Sequence, residues 1–311
     1  MTEEPSSSVT KRVRGVFLIF GRIDEVTTSL AEATGRLQSS RQQIALALLD
    51  SLRGVVRTLG IPFQYTYSQV HALHWQRHLM AERIRARSID DESKRESAAR
   101  AAAKLKFDEF VSVETGKVIA DDVLGRLAAL VDEPEALSAA RELARQGIVL
   151  TWSAFEVFAR DLFVDLLNER PALVERLLSQ VASRKRFTVD KIDWQTLSTY
   201  NFDLSRSLGV LLSQRSDLDD IQTIRDAYNA LYPSATALNQ ALANEDLWHL
   251  FQRRNLIVHR RGIVDRHYIE KTGSLLAIGA HFWATPDDIE RHIESVITAA
   301  TALVSEVASD G

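Results

Sequence analysis

The run Arg253-Arg254-Asn255-Leu256-Ile257-Val258-His259-Arg260-Arg261 sets a permanent cation, a neighbouring amide and a titratable imidazole within six residues, Arg254 to His259. A guanidinium grips a phosphate through two parallel hydrogen bonds at any pH, and an imidazole takes or gives a proton near neutrality. These are nearly all that RNA cleavage by its own 2′-hydroxyl requires. His259 would serve as general base on that hydroxyl or as acid to the 5′-oxygen, and Arg254 would stabilise the charge building on the phosphate. Asn255 can orient the imidazole or hold a phosphate oxygen, because an amide offers both donors and an acceptor. Arg253, Arg260 and Arg261 would contact RNA phosphates, fixing position without reading sequence.

These residues must be brought together by the chain around them. Positions five apart on an ideal helix point roughly 140° from each other, so Arg254 and His259 share a site only where the helix ends or distorts between them. By spacing alone they read as a basic helix end with a satisfied histidine. Gly262 and the cations flanking His259 predict a helix end there. His267 and Tyr268 fall on the following loop, within reach of the same cleft.

Arg254-Asn255-Leu256-Ile257-Val258-His259, followed by Gly262-Ile263-Val264-Asp265, resembles the Arg-x4-His signature of the HEPN superfamily of all-helical ribonucleases and nucleotide-binding domains. A polar residue follows the arginine in that signature, and Asn255 holds the place. Upstream, Leu150-Thr151-Trp152-Ser153-Ala154-Phe155-Glu156-Val157-Phe158-Ala159-Arg160-Asp161-Leu162 resembles the acid-bearing second helix of such domains. The resemblance implies a metal-independent endoribonuclease without cofactor, with Glu156 steering Arg254. By spacing, Glu156 would instead pair with Arg160 on the surface. The resemblance also implies a homodimer, because one imidazole cannot easily act as base and acid at once and a symmetry mate supplies the second. Its biological setting would be a toxin or antiphage effector, with an antitoxin or regulatory protein as further partner. The alternative is a catalytically silent module that binds RNA, a nucleotide or a protein partner through the same basic pocket. A third reading is a scaffold in which the motif is vestigial.

Glycine (13) and proline (6) are scarce among 311 residues, below the average usage of about 7% and 5%, which favours long helices and an all-α class. The absence of cysteine removes disulfides, thiolate metal sites and a cysteine nucleophile. A net charge of −4 gives the whole chain no field to attract nucleic acid, but from Phe251 to His267 five arginines face one aspartate. Arg184-Lys185-Arg186, near Lys191, forms a second basic cluster.

Residues 1–12 read as a disordered lead, and 13–112 as a helical arm of coiled-coil-like hairpin form. The arm would hold one helix from Ile23 to Leu59, ended by Gly60-Ile61-Pro62, and another from Ser68 to Leu105. His71, His74 and His78 lie close to one face of the second helix, but without the flanking acid of a metalloenzyme motif, and no metal is assigned. The pattern resets at Glu114-Thr115-Gly116, so 113–311 reads as the HEPN-like helical domain. Within it Ile148, Trp152, Phe155, Leu162, Phe163 and Leu166 form a core face. A closing helix begins at Thr285-Pro286 and carries Ile289, Ile293, Val296, Ala300, Leu303 and Val307 on one side. The apolar runs at 16–20 and 275–284 are too short for a signal core or a membrane span, which predicts a cytoplasmic protein without membrane contact.

Overall fold

Apolar residues recurring at helical spacing, with few breakers between them, produce a chain that is 79% helical, with no strand or sheet among the described residues, so the fold is all-α. The computed structural model describes residues 5–19, 23–37, 39–112, 116–189 and 191–310. The helices are α1 (Pro5–Arg14), α2 (Ile23–Thr34), α3 (Ser39–Arg85), α4 (Glu92–Val111), α5 (Gly116–Asp132), α6 (Pro134–Glu169), α7 (Leu173–Ser179) and α8 (Val181–Phe187). They continue with α9 (Trp194–Thr199), α10 (Leu208–Arg215), α11 (Ile221–Leu231), α12 (Thr236–Leu242), α13 (Glu245–Arg260), α14 (Arg266–Thr272) and α15 (Pro286–Ser309). No helix among the described residues is long and apolar enough to cross a membrane.

The chain divides into two compact units, one of residues 1–20 with 57–143, the other of residues 21–56 with 144–311. In the first, Val13 and Phe17 are buried with Val70, Ile119, Val123 and Leu127. Arg12 donates to the Ala128 carbonyl at 2.8 Å and to Asp132 at 2.7 Å, placing a cation on the carbonyl end of α5. This packing corrects the expected disordered lead, since Pro5–Arg14 is helical; residues 1–4 lie outside the described residues. The junction read at Glu114-Thr115 lies outside them too.

The expected break at Gly60-Ile61-Pro62 does not occur: α3 runs through it. Pro62 lacks an N–H and costs about 3 kcal/mol in a helix interior. Leu48, Leu49, Leu52, Val55 and Leu59 before it, and Val70 after it, are buried, at about 1.5–3 kcal/mol each, and together outweigh that cost.

In the second unit Ile148, Trp152, Phe155, Leu162, Phe163 and Leu166 are all buried, as their spacing predicts. Gly147 does not interrupt α6. The closing helix is also as expected. Thr285 and Asp288 form a reciprocal capping box ahead of α15, with Pro286 at its start, and Ile289, Ile293, Val296, Ala300, Leu303 and Val307 are buried. The stretch read as irregular after Gly262 holds α14, and an isolated bridge joins Ile263 to His281.

Candidate functional site

The helix bearing the motif is built from both ends. Asn244 caps α13 by accepting from the N–H groups of Asp246 at 2.8 Å and Leu247 at 3.3 Å, and Glu245 and Asp246 occupy the first turn. The other end closes when Arg261 turns into the left-handed region, φ +55°, and the Gly262 N–H reaches the Leu256 carbonyl at 3.0 Å. The reversal therefore comes at Arg261, with Gly262 (φ +76°) extending it. Arg145 supports the turn by donating to the Arg261 carbonyl at 3.2 Å.

Because the helix continues through Arg260, Arg254 and His259 stay on different faces. Phe251, Gln252, Asn255, Leu256, His259 and Arg260 recur at fourfold spacing and line one side of a cavity of about 390 Å³. The opposite side comes from Asp265, His267, Tyr268 and Lys271. Asp265 sets this wall in place: it caps α14 by accepting from the Tyr268 N–H at 2.8 Å and pairs with Arg260 at 3.1 Å. One turn of α14 then presents His267 and Lys271 at i and i+4. Burial raises the Tyr268 phenol above its ordinary pKa.

Arg254 is not among the residues lining the cavity, but it is tied to one that is. Its Nη1 donates to Asn255 Oδ1 at 2.9 Å, and its Nη2 lies 3.9 Å from Glu156 Oε2 on α6. The second distance is an ion pair without a hydrogen bond. Arg254 Nε is buried and, among the described residues, has no hydrogen-bond partner. Burial pushes the Glu156 carboxyl above its usual range, Arg254 opposing. Arg160 lies 3.4 Å from Asp161 and acts on Glu156 only as a more distant charge.

Arg253 turns the other way. Its Nη1 donates to Asp288 at 2.9 Å and to His292 Nε2 at 2.8 Å, and its guanidinium lies 5.2 Å from the Phe282 ring centre. It is thus engaged with α15 and is not among the residues lining the cavity. Arg260 and Arg261 are exposed, Arg260 with its link to Asp265.

In the other unit, His74 bonds Asp122 at 2.7 Å and stacks on Phe110, while His71 and His78 pack against Phe107. The histidine triplet is therefore engaged in packing and a hydrogen bond to a carboxylate. The sequence reading overlooked Lys271 and Asp265 as cavity residues; the i, i+4 spacing of His267 and Lys271 behind a capping aspartate was the available signal. No protein-family model, curated protein or solved structure matches the chain.

Proposed function

We propose that the chain is a metal-independent endoribonuclease of HEPN type. One observation carries this reading: His259 and His267 line the same cavity with the Asn255 amide and the Lys271 ammonium, and Arg254 is hydrogen-bonded to that amide. His259 takes the proton of a ribose 2′-hydroxyl, the new O2′–P bond forms as the P–O5′ bond breaks, and His267 gives a proton to the departing 5′-oxygen. Lys271 and Arg254 offset the charge on the phosphate. The donors around the cavity are imidazole, amide and cations, and the one carboxylate lining it, Asp265, is already paired with Arg260.

The homodimer in this reading is supported by apolar side chains left exposed at or next to the end of α13 and on the loop after α14: Val258, Ile263, Leu275 and Ile278. A toxin or antiphage setting rests on the resemblance alone. The second reading, a module that binds RNA or a nucleotide without cutting it, is favoured by the position of Arg254 outside the cavity lining.

Cleavage of total RNA decides between them. Cutting is expected to persist in excess EDTA and to leave 2′,3′-cyclic phosphate and 5′-hydroxyl ends, with RNA methylated at the 2′-oxygen resistant. His259→Ala is expected to lower the rate by about 10²–10⁴-fold with helicity unchanged. A mobility shift without cleavage selects the binding module, and full activity in His259→Ala refutes both the base and the site.

A further inference from the structure

The second basic cluster, Arg184-Lys185-Arg186 with Lys191, plays no part in the cavity. Arg186 is engaged internally, with Asp226 at 2.9 Å and Thr223 at 2.8 Å, whereas Arg184, Lys185 and Lys191 are exposed. The segment that follows carries exposed aromatic rings. Asp193 caps α9 by accepting from the Thr196 N–H at 2.6 Å, and the helix ends in a turn where Asn201 and Phe202 both take positive φ, +51° and +58°. A phenylalanine rarely adopts that conformation, and here it holds a large ring in solvent. Trp194 is 78% exposed and Phe202 61%, with ring centres 5.9 Å apart.

Hydrogen bonds knit these pieces into one surface. Tyr200 bonds Gln214 on α10 at 3.1 Å, and the next residue, Arg215, donates to the Thr188 carbonyl at 3.4 Å. The Thr188 N–H in turn bonds the Arg184 carbonyl at 3.0 Å. Between Arg184 and Arg215 the sequence has six cations and three acids, net +3 in a chain of −4. Two of those acids, Asp193 and Asp203, have an oxygen occupied by backbone N–H groups.

Exposed aromatic rings beside mobile-stemmed cations match one class of ligand. We propose that this surface binds single-stranded nucleic acid, with bases stacked on Trp194 and Phe202 and phosphates held by Arg184, Lys185, Lys191 and Arg206. Every base offers a π-face, so the surface tolerates sequence, while a duplex keeps its bases stacked on one another and out of reach. This site is separate from the cavity and does not depend on cleavage.

The test is fluorescence anisotropy of the full chain with a labelled 2′-O-methyl oligouridine of about 12 nucleotides, a probe that 2′-hydroxyl chemistry cannot cut. The single strand is expected to bind more tightly than a duplex of the same length. Trp194→Ala and Phe202→Gly are each expected to weaken it by roughly 5- to 150-fold, with Trp194→Phe close to the parent. Glycine suits φ +58° better than phenylalanine, so Phe202→Gly should keep or raise the Tm while losing affinity, which separates binding from folding. Unchanged affinity in both variants, or equal affinity for duplex, overturns the proposal. So does self-association that Trp194→Ala abolishes, because a second copy would then be the occupant. Absence of RNA cleavage leaves every one of these outcomes readable.

Discussion

Arg261 holds a left-handed conformation that glycine adopts without penalty, and an arginine there costs about 1–2 kcal/mol. Arg261→Gly is therefore expected to raise stability by roughly 1 kcal/mol in urea denaturation. If Arg261 contacts phosphate, the same variant weakens RNA binding and lowers its salt dependence by about one counterion. Equal RNA binding at all salt concentrations would remove Arg261 from the interface. Its neighbour Arg253 reads identically in sequence but sits differently. Arg253 and Asp288 are both largely buried, and Arg291 also bonds Asp288 at 2.5 Å, so Arg253→Ala should cost about 1–3 kcal/mol by removing one of the two cations on that carboxylate. A loss below about 1 kcal/mol would show that the pair is effectively solvated. The candidate site was thus only partly legible. The motif and the helix end are local, and so is the placement of His267 beside His259. Which arginine turns inward is set by Asp288 and His292, 35 and 39 residues further along, and no local pattern carries that information.

At the scale of elements, α6 and α15 were readable because their apolar stripes and caps agree with what packs against them. α11 was less so. It starts at Ile221, with Asp220 accepting from the Thr223 N–H at 2.9 Å. Several adjacent acids and a serine can all cap, and the choice falls to the residue whose next turn buries Ile221 and Ile224. α3 shows the stronger failure. Gly60-Ile61-Pro62 is a sound local stop signal, overridden by burial on both sides of it. Pro62→Ala restores one N–H and one helical bond, and is expected to stabilise the chain by up to about 3 kcal/mol with little change in helix content by circular dichroism. A destabilised Pro62→Ala variant would mean that the helix is adapted to the proline, with a bend that its packing requires.

For the whole molecule, the sequence suggested a division near residue 112, where composition resets, yet residues 21–56 belong with 144–311. Arg41 shows why: it is buried and pairs with Asp165 at 2.7 Å and Glu169 at 2.5 Å, partners more than 120 residues away. Membership of a unit is decided by such distant contacts, which periodicity does not encode. The same unit contains the groups that couple its stability to pH. Burial, with Arg253 adjacent, pushes His292 down to about 3, against about 6.5 when unfolded. Between those values the unfolded chain binds a proton that the folded chain does not, so the contribution is complete above about pH 6.5 and falls by about 1.4 kcal/mol per pH unit on acidification. Asp288 acts in the same sense at lower pH. Burial raises its carboxyl, but Arg253 and the Thr285 N–H and hydroxyl outweigh that and hold it at about 2, so its contribution is lost as the pH falls through that value. Glu156 opposes both. Its raised pKa favours the fold as pH falls towards the ordinary carboxylate range, offsetting part of the loss. The urea midpoint is therefore expected to drop between pH 7 and pH 4.5. His292→Gln keeps an acceptor for Arg253 but has no proton to bind, and should flatten the decline. An equally steep decline in His292→Gln would assign the acid sensitivity to other groups.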